Sequence, residues 1–217
     1  MRRPLTILLL ALAALPSVAR FDEEEPIPLV PASAVWERPG AHVGNKVRFV
    51  VQHASWIEAW NPLTTRFGHG DYKAWSAWSD EQLLWITDEY DSPMVRLFVR
   101  RGGAAEWALE GLEPYRRFEV VGEVKAVLEG MPWIEVLGVR PLTEQIGDGS
   151  LVHAGRGFDA WERGEWERGV GEFDRALASP LPPIAREELM RLKELCRDRA
   201  DHPTLEELIR RDLERKD

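Results

Sequence analysis

Between residues 34 and 142 the apolar positions recur mostly with a period of two. In KVRFVVQHASWI (46–57), Val47, Phe49 and Val51 share one phase, and Arg48, Val50 and Gln52 share the other. That alternation predicts a half-buried β-strand, with Gly44 and Asn45 as the turn before it. MVRLFVRR (94–101) sets Val95, Leu97 and Val99 against Arg96, Phe98 and Arg100. RFEVVGEVKAVLEG (117–130) sets Phe118, Val120, Val124, Ala126 and Leu128 against Glu119, Glu123, Lys125 and Glu129. MPWIEVLGVRPL (131–142) follows across Glu129-Gly130, a hairpin-turn pair. Another strand falls within 72–88, after a connection (58–72) longer than an ordinary hairpin loop. In AAEWALEGL (104–112), Ala105, Ala108, Leu109 and Leu112 are spaced for a short amphipathic helix.

After Gly149 the period changes to that of helices. Phe158 and Trp161 lie on a helix that ends at Gly164. EWERGVGEFDRALASPLP then puts Trp166, Val170, Phe173, Ala176 and Leu177 on one face. IAREELMRLKELC (184–196) does the same with Leu189, Leu192 and Cys196, and Thr204 with Glu207 forms a capping box for a last, charged helix.

The first set of elements runs strand, strand, strand, short helix, strand, strand, and resembles an OB-fold barrel. The resemblance covers about residues 34–142, with glycine before the first strand and Gly122 at the bend of a coiled fourth strand. The long 58–72 connection departs from it. The second set resembles one tetratricopeptide repeat: Gly157, Gly164, Trp166, Gly169, Phe173, Ala176 and Pro180 stand in its slots. Gly169 replaces the usual alanine, and Arg156 stands where that family has leucine. Such repeats need stacked neighbours, so these helices are expected to pack on the barrel or extend it. The expected fold class is α+β: a five-stranded OB-like β-barrel (34–145) followed by a C-terminal, tetratricopeptide-like helical segment (149–217).

The N-terminus changes the picture of where this chain works. MRRPLTILLLALAALPSVAR combines Arg2 and Arg3, an apolar stretch from Leu5 to Leu15, and small residues at Ser17 and Ala19. This pattern is that of a secretory signal peptide over 1–19, with export to a periplasm or the cell exterior. RFDEEEPIPLVPAS (20–33) reads as an extended acidic, proline-rich linker. No later stretch has the length and apolarity of a transmembrane helix. Cys196 is the only cysteine, so no internal disulfide and no thiolate zinc site can form within one copy. The chain holds 28 Lys and Arg against 37 Asp and Glu. Removal of 1–19, with Arg2 and Arg3, leaves 26 against 37, a net charge of −11 that opposes a polyanionic partner.

Catalytic patterns are missing from the sequence: it has no G-x-S-x-G, H-E-x-x-H, phosphate-cradling glycine loop or C-x-x-C. His69 and Asp71, in FGHGDY, are weak candidates for a metal or general-base role. Arg96, Arg100, Arg101, Arg116 and Arg117 form either a basic patch or solvated, paired strand ends. The tryptophans are the strongest signal. If the first strand continues without a bulge, Trp56 and Trp60 share the phase of Arg48 and face outward. Trp75 and Trp78 are an odd number of residues apart, so one is core and the other outside. An aromatic surface of Trp56, Trp60 and one of Trp75 or Trp78 is therefore expected, free for a ligand or covered by the C-terminal helices.

These readings favour a non-enzymatic exported binding or assembly module that takes a protein partner or an envelope glycan and needs no cofactor. The alternatives are an envelope carbohydrate- or metal-dependent enzyme using His69 and Asp71, and OB-type single-strand nucleic-acid binding, which the charge makes unfavourable.

Overall fold

The computed structural model describes residues 27–64, 66–93 and 95–204. The expected signal peptide (1–19), the first part of the expected linker and most of the expected last helix lie outside the described residues. In chain order the elements are α1 (Ala32–Glu37), β1 (Lys46–Ile57), β2 (Tyr72–Ser79), α2 (Thr87–Tyr90), β3 (Val95–Arg100), α3 (Ala104–Ala108), β4 (Arg117–Leu128), β5 (Met131–Pro141), α4 (Asp148–Glu162), α5 (Trp166–Leu177) and α6 (Pro183–Asp201).

The five strands close into a barrel in the order β1-β2-β3-β5-β4. Every pairing is antiparallel except β3 with β5. With α3 between β3 and β4, this is the OB arrangement. The inward phase of each strand fills it: Val47, Phe49 and Val51 of β1, Trp75 and Ala77 of β2, Leu97 of β3, Val120 of β4 and Ile134 of β5. Leu109, just past α3, is fully buried in the same core.

Two local features let the sheet close. At Gly122 the β4–β5 register shifts, and a Cβ there would lie 2.4 Å from Ile134 Cγ2 and 3.0 Å from the Glu135 carbonyl. Only glycine lets β5 come that near. The β4–β5 hairpin turns through Glu129 (φ 52°) and Gly130 (φ 76°), the paired positive dihedrals of a two-residue I′ turn.

The stretch expected to be a linker up to residue 33 is in part barrel structure. Leu29 bridges Arg48, and the Val30 N–H donates to the Arg48 carbonyl at 2.9 Å. Ala32 and Val35 are fully buried in the barrel core. The prolines hold 27–31 extended, and α1 starts directly after Pro31, where the Glu81 carboxylate accepts the N–H groups of Ala32 and Ser33.

The helices pack through glycine contacts. A Cβ on Gly157 would lie 2.6 Å from the Phe173 ring, so α4 and α5 meet closer than alanine allows. Gly169 meets Cys196 Sγ of α6 in the same way, at 2.9 Å. Burial pushes the Cys196 thiol up to about 11, the state of an inert packing group. One apolar cluster joins Trp78, Leu84 and Trp85 from the barrel side to Ala154, Phe173, Leu181 and Leu189 from the helices. The helical segment therefore packs on the barrel. Beside this junction Arg117 donates twice to Asp80, at 2.7 and 2.6 Å, with both side chains largely buried.

Candidate functional site

The outer surface of β1, β2 and β3 is built from cross-strand rows. Gln52 opposes Trp78; Ser55 opposes Ser76, which opposes Arg96; Ile57 opposes Ala74, which opposes Phe98; and Tyr72 opposes Arg100. The rows differ in cover. Trp78 is buried among residues of the helical segment. Ala74, Phe98 and Tyr72 are buried under residues of the β1–β2 connection, while Ile57 is half-buried and Arg100 exposed at the ends of their rows. Between them the Ser55–Ser76–Arg96 row stays open, with Ser55 and Arg96 exposed and the two serine hydroxyls 3.3 Å apart.

Rings flank this row on both sides. On one side Trp78 stacks against Tyr115 (5.7 Å, 16°) and lies 5.2 Å from Tyr90. Its indole N–H donates to the Tyr90 carbonyl, and the two tyrosine hydroxyls are 3.0 Å apart. Burial and the Tyr90 hydroxyl raise the Tyr115 phenol above its ordinary value. Tyr115 sits at φ 66°, a strained backbone for an aromatic residue, so the surroundings must hold its ring over Trp78. On the other side Phe67, Phe98 and Trp133 form a near-parallel stack. Trp60 meets Phe98 edge-on at 5.8 Å.

The four tryptophans singled out in the sequence separate. Trp75 is fully buried inside the barrel and donates its indole N–H to His53 Nδ1 at 2.6 Å. Trp78 lies on the opposite face, under the helical segment. Trp60 is half-buried and flanks the outer face. Trp56 departs from the expectation that it faces outward. The β1–β2 register shifts between His53 and Ser55, so Ala54 is an extra residue. That bulge reverses the phase: Trp56 pairs with inward-facing Trp75 and packs on the barrel core, while Ile57 turns outward. Of the four, Trp60 alone lies in the β1–β2 connection, against Phe98 in the row next to the open one.

His69 and Asp71 are both exposed. The His69 ring stacks on Trp60 at 3.9 Å, and its Nε2 lies 2.8 Å from the Trp60 carbonyl. The histidine thus serves as a brace within the β1–β2 connection. Among the described residues no group of three or more His, Cys, Asp or Glu is arranged to hold a metal ion.

The five arginines divide likewise. Arg117 pairs with Asp80, and Arg100 pairs with Glu135 at 3.0 Å beside the Tyr72 hydroxyl. Arg101 donates to the carbonyls of His69 and Tyr72, and Arg116 donates to Gln145. The Arg96 side chain has no ion pair or hydrogen bond among the described residues, and it is the one of the five that stands in the open row. Tyr90, Tyr115, Phe67 and Trp133 are missed by strand parity, because each is placed by a short helix, a loop or a neighbouring strand. Phe98 carried a signal: a large ring in the outward phase between Arg96 and Arg100.

The fold and this face define an OB-like barrel with a flanking helical segment and a partly covered aromatic surface. No family model matches the chain, and no curated protein matches it. Among solved structures it is similar to U. maydis Replication protein A bound to ssDNA, at 17% identity over 55% of this chain and 76% of that one. The TM-score is 0.28, and at that value the likeness lends no weight to any reading of this chain.

Proposed function

We propose that this chain is a non-enzymatic binding or assembly module that works outside the cytoplasm, and that its barrel takes an extended segment of a partner protein. The observation that carries the proposal is the open Ser55–Ser76–Arg96 row between two sets of rings. Two hydroxyls and a guanidinium with no partner among the described residues suit carbonyl and carboxylate groups, and the flanking rings suit apolar side chains. The helices supply a second protein contact, as their likeness to a tetratricopeptide repeat implies. Export rests on the sequence of residues 1–19. The net charge of the exported part opposes a nucleic-acid partner.

The test is titration of the exported chain with a blocked Glu-Ser-Phe-Ser-Glu peptide, a chitin tetrasaccharide and a thymidine octanucleotide. The expected result is peptide binding that Arg96→Glu weakens at least tenfold. Binding of the sugar instead of the peptide, or peptide binding indifferent to Arg96→Glu, would refute it.

A further inference from the structure

The β1–β2 connection does more than join two strands. It lays Phe67 on the outer face, where that ring is buried and parallel to Phe98 at 4.1 Å and 4°. Trp133 continues the stack, 4.9 Å from Phe98 and 11° from parallel. Phe98 lies two residues along β3 from Arg96, on the same face. The slot filled by Phe67 is therefore an extension of the open row. Its floor carries a second mark of a binding place. The Trp133 indole N–H is buried and has no hydrogen-bond partner among the described residues, although a buried donor normally finds one.

The connection is held over the slot by its own braces. The Trp60 indole N–H donates to the Phe67 carbonyl at 2.7 Å. His69 stacks on Trp60 and contacts its carbonyl, and Arg101 donates to the His69 carbonyl at 3.0 Å. These contacts lie within the connection or at its root. None of them is a strand pairing of the barrel, so the cover can lift without opening the sheet.

We infer that the Phe67 slot is a phenyl-binding subsite which the protein fills with its own side chain, and that a partner peptide inserts an aromatic residue there in exchange. This rests on the peptide-binding reading above. The occupant is defined by what the slot now holds and by the neighbouring row: a phenyl ring stacked on Phe98, with a carboxylate two residues away at Arg96. Successive same-side residues of an extended peptide are about 6.6 Å apart, which matches the strand spacing from Phe98 to Arg96. Phe67 then acts as an internal competitor, so the free protein holds the subsite closed.

The test uses the exported chain and the blocked Glu-Ser-Phe-Ser-Glu peptide, with Glu-Ser-Ala-Ser-Glu as control. Phe67→Ala is expected to bind the phenylalanine peptide at least tenfold tighter than the native chain, with no gain for the control. Phe67→Ala with Phe98→Ala should lose that gain. The Trp133 indole N–H resonance should shift when the phenylalanine peptide binds. His69→Ala keeps every ring of the stack but loosens the cover, and should gain two- to threefold; it serves if Phe67→Ala does not fold. If the native chain binds the peptide through Arg96 and neither Phe67→Ala nor His69→Ala binds it tighter, this inference falls and the binding reading stands. An equal gain for the control peptide also overturns it. If no form binds the peptide, both readings fall.

Discussion

The helical segment offers a direct test of how close packing was written into the chain. α4 contains two glycines two residues apart, Gly155 and Gly157. A Cβ at Gly155 would meet nothing within 4 Å. Gly155→Ala therefore changes little but helix propensity and should stabilise by about 1 kcal/mol. A Cβ at Gly157 would lie 2.6 Å from Cδ1 and Cε1 of Phe173, and 3.1 Å from Cζ. Phe173 is fully buried, so its ring must move by about 1 Å into occupied space to restore ordinary carbon contacts. Overpacking of this kind costs about 1–3 kcal/mol, and the propensity gain is common to both variants. The two alanine variants should therefore differ by about 1–3 kcal/mol in urea unfolding, with Gly157→Ala the less stable. In a chain of this size that is a gap of roughly 2–12 °C in Tm. The pair repeats in α5: a Cβ at Gly169 would lie 2.9 Å from Cys196 Sγ, whereas one at Gly171 would meet nothing within 4 Å. Phe173→Leu, added to Gly157→Ala, should recover part of the loss. If Gly157→Ala is as stable as Gly155→Ala, the α4–α5 contact is not as close as described and the reasoning fails.

Other outcomes follow from the barrel. Burial holds His53 below the ordinary histidine value of 6.5 while its Nδ1 accepts the Trp75 indole N–H. The unfolded chain then takes up a proton more readily than the folded one, so His53 favours the fold above pH 6.5 and that contribution is lost as pH falls through the lowered folded value. Urea midpoints measured from pH 7.5 to 5 should decline, and His53→Phe should flatten that slope; an unchanged slope would refute the assignment. The Asp80–Arg117 pair is buried and doubly hydrogen-bonded, so Asp80→Asn or Arg117→Met alone should cost about 3–5 kcal/mol. The double variant Asp80→Leu/Arg117→Met should be close to native stability, and a double variant as unstable as the singles would contradict this account.

Much of the barrel was legible in the sequence because strand parity is a local property. The alternation in 46–51, 95–100 and 117–121 names the inward residues, and those residues do fill the core. Gly122 and the Glu129-Gly130 turn were legible for the same reason: each is a backbone demand met by residue type. The outer face was legible only in part. Parity put Trp75 and Trp78 on opposite faces but could not say which was inside, since that depends on which face the barrel closes around. Phe67 offered no periodic signal, because a loop residue carries no phase. Arg96 could not be told from Arg100 or Arg117, because pairing depends on Glu135 and Asp80, which are distant in the sequence.

Residue order alone determined the strands, the short helix between the third and fourth of them, and the glycines at which helices and strands come close. These follow from hydrophobic phase and backbone freedom, which neighbours in the chain set. Tertiary structure decided the rest. One extra residue at Ala54 turned Trp56 into the barrel and Ile57 out of it, because a bulge inverts every side chain after it. Closure of the sheet and the folding back of the β1–β2 connection decided which aromatic rings are covered. They left open a polar row of Ser55, Ser76 and Arg96, whose guanidinium has no partner among the described residues, a surface that exists only once residues from three strands are brought side by side.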